Sequence, residues 1–132
     1  MILETSFVID FLHGDEDAVS KMQSLIDEGI PYEIASPTIF ELWGGLQNIQ
    51  APEKEQQRIL SLMQGIGVLS LDEDSAKIAG TIDGQLTKKG LTINTEDSMI
   101  AGIAIKNNKT ILTNDEHFDR IEGLKIEKYK DE

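Results

Sequence analysis

Cysteine is absent from the 132 residues of this chain, which excludes disulfide bonds and thiolate metal sites and favours a reducing compartment. No apolar run approaches the roughly 20 residues that a membrane-spanning helix needs, so we expect no contact with a membrane. The first ten residues, MILETSFVID, carry Glu and Asp where a signal peptide would be basic, and we interpret them as folded structure. These absences predict a cytoplasmic protein, and the length predicts one domain over residues 1–132.

Basic side chains are scarce, because 12 Lys and Arg are outnumbered by 24 Asp and Glu and the formal net charge is −12. Lys and Arg supply the sequence-independent affinity for nucleic acids, so this charge argues against an RNA or DNA partner. Two features would offset it. One is a set of bound divalent cations, and the other is a local basic patch made of Lys88, Lys89, Lys106 and Lys109.

Short apolar segments alternate with amphipathic helical segments along the whole chain. We predict strands over residues 1–3, 30–35, 66–71, 110–113 and 124–129, the last an edge strand followed by a frayed tail at 130–132. Strands separated by helices form βαβ units with right-handed crossovers. The predicted fold is therefore α/β, a three-layer α/β/α sandwich around a central parallel sheet.

Hydroxyl and proline residues indicate where two of the helices begin. Thr5 or Ser6 is predicted to cap the first helix, and Ser36 followed by Pro37 predicts the start of another. In that second helix, residues 39, 42, 43 and 46 have the spacing of one buried face. This spacing places Trp43 in the core rather than on a surface that stacks against bases.

Four acids occupy equivalent positions in this predicted fold. Glu4 ends the first strand, Glu41 lies in the helix after the second, Asp97 lies in the first turn of its helix, and Asp115 follows a later strand. Carboxyl ends of parallel strands and the starts of the following helices share one edge of a sheet. We therefore expect the four carboxylates to converge.

Such a cluster suits Mg²⁺ or Mn²⁺, which bind oxygen ligands and which can activate water for attack on a phosphodiester. Each acid also has a structural interpretation. Taken singly, Asp97 and Glu41 are more often ordinary helix-start residues and Asp115 an ordinary turn residue, whereas Glu4 at a strand end needs a partner. His13 and His117 lack ligand spacing, and we interpret them as loop or packing residues.

The sequence resembles a known family, the PIN domains of the VapC type, which are ribonuclease toxins of prokaryotic toxin–antitoxin pairs. The matching segments, which together with their spacing extend over nearly the whole chain, are ILETSFVIDFL, SPTIFELWGGL, EDSMIAGIAIKNNKTILTND and HFDRIEGLKIEKY. The family's fold is a parallel sheet between helices, as predicted above.

The resemblance implies a metal-dependent endoribonuclease that leaves a 5′-phosphate and a 3′-hydroxyl. Carried over by motif, the metal ligands are Glu4, Asp97 and Asp115, and Glu41 either joins them or orients the attacking water. The hydroxyls of Ser6 and Thr113 match positions that support the acids. The implied cofactor is Mg²⁺ or Mn²⁺, and the implied partners are an RNA substrate with tRNA among the candidates, a small antitoxin, and a second copy of the chain in a homodimer.

One position departs from the family pattern, because its first acid is usually Asp and here it is Glu4. The extra methylene moves the carboxylate by about 1.5 Å, which disturbs an octahedral Mg²⁺ shell. An alternative function is therefore a catalytically impaired PIN scaffold that binds protein or RNA. A phospho-acceptor signalling domain is a third hypothesis. Such a domain needs a pair of acids after the first strand, where this chain has a single acid.

Overall fold

Short apolar segments form a single parallel sheet in the computed structural model, which describes residues 1–130. The strands run in the order β3-β2-β1-β4-β5, and each neighbouring pair is parallel. Their bounds are β1 (Ile2–Leu3), β2 (Glu33–Ala35), β3 (Gly67–Leu69), β4 (Thr110–Leu112) and β5 (Lys125–Glu127). The predicted α/β/α architecture is confirmed, although the strands are shorter than predicted.

Helices cover both faces of this sheet, and a short 3₁₀ segment follows the third helix and another follows β4. In residues 1–130, none of the helices is both long and apolar enough to cross a membrane. The bounds are α1 (Thr5–Leu12), α2 (Glu16–Asp27), α3 (Ser36–Gly45), α4 (Glu53–Met63), α5 (Glu73–Lys88), α6 (Thr95–Lys106) and the 3₁₀ segments Leu46–Asn48 and Glu116–Arg120.

The core lies in two layers because successive residues of a strand point to opposite faces of the sheet. In β1, Ile2 packs with the buried residues of α5 and α6, whereas Leu3 packs with those of α1 and α2. In β4, Ile111 and Leu112 divide between the same two layers. The central strands are therefore buried on both faces, as expected of a parallel sheet between helices.

Helices α5 and α6 pack closely enough that one position requires glycine. A Cβ atom at Gly102 would lie 2.5 Å from the backbone oxygen of Ser75 and 2.9 Å from the Cβ of Ala79. Glycine therefore allows α6 to approach α5, which sets the position of the helix that carries Asp97.

The predicted helix caps are wrong at both positions. The N-cap of α1 is Glu4, whose carboxylate accepts a hydrogen bond from the backbone N–H of Ser6 at 2.9 Å. The N-cap of α3 is Ala35, and the Ser36 hydroxyl instead accepts a hydrogen bond from the backbone N–H of Leu71. Tertiary contacts thus take the polar groups that local capping would have used.

Two further predictions of environment are corrected. Trp43 is 39% exposed rather than in the core, because the buried face of α3 is narrower than the spacing suggests and includes Leu42. Lys130 was expected to fray, but its ammonium pairs with Asp10 at 3.2 Å and with Asp15 at 3.4 Å. Residues 131 and 132, the rest of that predicted tail, lie outside the described residues.

Candidate active site

The strand order changes direction beside β1. From β1 the chain continues to β2 and β3 on one side, and β4 and β5 are added on the other. In open α/β sheets, ligands bind outside the carboxyl ends of the strands at such a switch point. Glu4 directly follows β1 and Asp115 follows β4, its neighbour in the sheet, so these two acids lie at that crevice.

The Glu4 carboxylate is almost completely buried, with 3% of the residue exposed, and it accepts three hydrogen bonds. Its Oε1 accepts from the Ser6 and Thr113 hydroxyls, each at 2.5 Å, and its Oε2 accepts from the backbone N–H of Ser6. The longer side chain of Glu at this position therefore turns back to cap its own helix. Both predicted supporting hydroxyls contact this acid.

Thr113 also connects Glu4 to the loop after β4. Its hydroxyl donates to Glu4 and accepts a hydrogen bond from the backbone N–H of Asp115 at 3.0 Å. Because Thr113 is fully buried, this two-bond chain fixes the Asp115 backbone relative to β1.

Glu41 reaches the site from α3 and is half-buried. Its Oε1 accepts a hydrogen bond of 2.6 Å from the Thr5 hydroxyl, which lies 3.0 Å from the hydroxyl of the buried Thr38. Burial raises the pKa of the Glu41 carboxyl, the Thr5 hydrogen bond offsets part of that rise, and the charges of Glu4 and Glu96 add to it. Glu41 is therefore a stronger base than an ordinary surface carboxylate.

Asp97 has the most perturbed environment of the four acids. The residue is 5% exposed, and within residues 1–130 its Oδ2 has no hydrogen-bond partner. Burial raises the pKa of Asp97 to about 7, and the charges of Glu4, Asp115 and Glu41 contribute in that order. A buried carboxylate oxygen without a donor has an unfavourable free energy that a bound cation would relieve.

Asp115 and His117 form a close pair at the mouth of the crevice. The Asp115 Oδ1 accepts from the backbone N–H of His117 at 2.9 Å, and it lies 3.0 Å from Nδ1 of the same residue. One ligand atom each from Asp97, Asp115 and His117 lie within 4.8 Å of one another.

Sequence reasoning did not place His117 with the acids, since a lone histidine has no ligand spacing. The available signal was its place two residues after a site acid, where a tight turn brings both side chains to the same side. The structure also brings Glu4 and Glu41 close enough to Asp97 to raise its pKa.

The donor set fits a divalent cation. The cluster offers carboxylate oxygens, one of them buried without a donor among residues 1–130, and a half-exposed imidazole at the entrance. Oxygen ligands suit Mg²⁺ and Mn²⁺, and a cation would lower the mutual repulsion of the acids.

Part of the basic patch considered above is neutralised. Lys106 pairs with Asp72 at 2.6 Å, and Lys109 pairs with Glu33 at 3.0 Å. These two lysines therefore contribute little free positive charge toward a polyanion.

Comparison with known proteins agrees with this fold. The PIN domain family model matches residues 1–124. The chain is 34% identical over 95 residues to the tRNA(fMet)-specific endonuclease VapC of Salmonella typhimurium. The aligned residues cover 71% of this chain and 72% of that protein.

Two solved structures share the fold over almost the whole chain. A crystal structure of DNA-bound VapBC from Salmonella typhimurium superposes with a TM-score of 0.87 at 27% identity, covering 98% of this chain and 97% of that chain. VapBC2 of Rickettsia felis, bound to a promoter DNA fragment, gives 0.88 at 23% identity and covers 98% of both chains. The chain therefore belongs to the PIN domain family, and the resemblance to its VapC type is confirmed.

Proposed function

We propose that this protein is a metal-dependent endoribonuclease and the toxin of a type II toxin–antitoxin pair. The observation that carries the proposal is the buried Asp97 carboxylate, whose Oδ2 is without a hydrogen-bond donor in the described residues and which lies beside Asp115 at the switch point of the sheet. The VapC relative of Salmonella typhimurium, named as a tRNA(fMet)-specific endonuclease, supports RNA, and tRNA in particular, as the substrate class.

The four acids divide into holding and proton-accepting roles in this proposal. Asp97 and Asp115 would hold Mg²⁺ or Mn²⁺, and Glu4 would add its negative charge and its remaining lone pairs from the floor of the crevice. Glu41, oriented by Thr5 and more basic than a surface carboxylate, accepts the proton of the attacking water. When bound, the cation supplies Lewis-acid stabilisation of the charge that develops on the phosphodiester.

The acidic net charge of −12 is compatible with an RNA substrate if the cation compensates it locally. Since Lys106 and Lys109 are paired, long-range attraction of RNA by that patch is weak. We therefore expect substrate binding to depend strongly on the divalent cation, and we place the reaction in the cytoplasm, where RNA substrates occur.

The test is cleavage of pooled tRNA and mRNA by antitoxin-free protein, with Mg²⁺, with Mn²⁺ and with chelator. We expect cleavage that the chelator abolishes and that Asp97→Asn reduces by about 100-fold or more, since it removes a charged ligand next to the reacting phosphate. Asp74→Asn, in the exposed first turn of α5, is the matched control and should cleave like the wild type. Cleavage that persists undiminished in Asp97→Asn would contradict the assignment.

The same proposal includes an antitoxin and a homodimer. The solved relatives named above are VapBC complexes, and an Arg side chain from a small partner would match the carboxylate cluster in charge and in bidentate geometry. Light scattering on the protein alone should give the mass of a dimer. Co-expression with the product of the neighbouring gene should give a complex with an inhibited nuclease, and free monomer in both experiments would refute these partners.

A second candidate function is a PIN scaffold that binds RNA or protein without cutting. The observation that favours it is Glu4, whose two oxygens already accept three hydrogen bonds from protein donors. If the wild type cuts with neither metal while Glu4→Asp does, the scaffold is the correct function.

A further inference from the structure

We infer that His117 is a metal ligand, so that the site is a mixed nitrogen–oxygen centre that selects a first-row transition cation such as Mn²⁺ over Mg²⁺. This inference rests on the metal site of the proposed function and adds a residue that lies outside the four acids. It depends on the geometry of three side chains at the switch point.

The first step is the spacing of the pair at the entrance. The Nδ1 atom of His117 and the Oδ1 atom of Asp115 are 3.0 Å apart. Two ligands at right angles on a cation with bonds of about 2.1 Å lie about 3.0 Å from each other, and two opposite ligands about 4.2 Å. The pair is therefore already at the separation of adjacent ligands.

The second step is the third ligand. Asp97 offers an atom within 4.8 Å of the other two, so small side-chain rotations bring all three onto one ion. Asp97 is only 5% exposed, and its Oδ2 is buried and lacks a donor in the described part of the chain. A buried side chain that has an unpartnered acceptor and that also supplies an atom close to this pair indicates a cation rather than a chance cluster of surface acids.

The third step is accessibility of the imidazole. The His117 side chain is 48% exposed, so it can reorient over the crevice without disturbing the core. Its backbone N–H is bonded to Asp115, which holds the residue at the end of a short turn. The neutral tautomer with its proton on Nε2 presents a lone pair at Nδ1, as a metal ligand must.

The consequence is metal selectivity. Imidazole nitrogen binds first-row transition cations far better than it binds Mg²⁺, whereas carboxylates accept both. A centre with two carboxylates and one imidazole therefore favours Mn²⁺, and Fe²⁺ or Co²⁺ more strongly still, over Mg²⁺.

The chain offers a clean spectroscopic test, because it has only two histidines, His13 and His117. Tag-free, metal-stripped protein is loaded with one equivalent of Mn²⁺, and electron spin-echo envelope modulation is recorded. We expect a ¹⁴N coupling typical of a directly bound imidazole in the wild type and in His13→Gln, and its loss in His117→Gln. The absence of this coupling in the wild type, or its persistence in His117→Gln, would overturn the inference.

Titration calorimetry provides the second measurement on the same proteins. His117→Gln should weaken Mn²⁺ binding by about tenfold or more and Mg²⁺ binding by less than about threefold, since only the nitrogen ligand is removed. Equal loss for both cations would overturn the selectivity. RNA cleavage is measured separately. Cleavage without a nitrogen coupling would support the nuclease and exclude His117 as a ligand. A nitrogen coupling without cleavage would support the metal centre and contradict the nuclease.

Discussion

Replacing Asp97 by Asn should stabilise the metal-free protein, although the same change should abolish its proposed activity. The carboxylate is buried, its Oδ2 lacks a donor in residues 1–130, and its pKa is raised from 3.8 to about 7 by burial and by three neighbouring acids. A native pKa above the unfolded one means that the native state binds the proton more tightly between those values. Stability from this group is complete below pH 4 and is lost as the pH rises to about 7.

The magnitude follows from that interval. Each pH step between the two pKa values corresponds to about 1.4 kcal/mol in the free energy of unfolding. From pH 5.5 to pH 8, the stability of Asp97→Asn relative to the wild type should rise by about 2 kcal/mol, since the difference stops growing near pH 7. For a domain of this length, the difference in melting temperature between Asp97→Asn and the wild type should therefore widen by about 8 °C from pH 5.5 to pH 8.

The assay is thermal unfolding in EDTA at pH 5.5 and pH 8, with Asp74→Asn as control. That variant removes an exposed acid from the first turn of α5, so it loses the same interaction with a helix dipole without relieving a buried charge. Its difference from the wild type should be the same at both pH values. Saturating Mn²⁺ should cancel the advantage of Asp97→Asn, because ligand at 100 times its dissociation constant stabilises the wild type by about 2.7 kcal/mol.

Either of two results would refute the reasoning. If the difference between Asp97→Asn and the wild type were independent of pH in EDTA, Asp97 would not be a strained carboxylate in the native state. If Mn²⁺ stabilised both proteins equally, Asp97 would not contact the cation.

Substitutions at Gly102 and Thr113, each with a control variant, test the packing and the hydrogen bonding that support the site. Gly102→Ala should destabilise the fold by about 1–3 kcal/mol in urea unfolding, since the new methyl group would lie 2.5 Å from the Ser75 backbone oxygen. Gly84→Ala, in an open part of α5, should instead stabilise it by roughly 0.5–1 kcal/mol, and equal effects of the two would contradict the close helix contact. Thr113→Val should destabilise the protein by about 1–3 kcal/mol in thermal unfolding, because Glu4 loses a buried donor, while Thr113→Ser should stay close to the wild type.

Much of the architecture could be predicted from local patterns. Apolar segments separated by amphipathic helices predict a parallel sheet between helices, because that alternation leaves few other ways to bury every apolar face. The places of Glu4 and Asp115 after strands also follow from that pattern. The two acids follow strands that are neighbours in the sheet, β1 and β4, and adjacent parallel strands end at the same edge.

Local patterns failed where a polar group had a choice of partners. The sequence predicts Ser36 as a helix cap, yet its hydroxyl accepts a hydrogen bond from the backbone N–H of Leu71, 35 residues away. Thr5 also reads as a cap, yet its hydroxyl donates to Glu41. Capping preferences are worth only about 1 kcal/mol, so a tertiary hydrogen bond of similar strength displaces them.

The chemistry of the site required the folded chain for the same reason. The sequence shows that Glu4, Glu41, Asp97 and Asp115 are acids, but not which of their oxygens already accept hydrogen bonds from the protein. In the fold, Glu4 accepts three hydrogen bonds while one oxygen of Asp97 is without a donor in the part of the chain that is described. His117 lies beside Asp115 through a turn of two residues, and only the fold shows that this turn brings the imidazole to Asp97 as well. Hydrogen bonding and desolvation depend on distances of a few ångströms between residues far apart in the chain, and those distances exist only after folding.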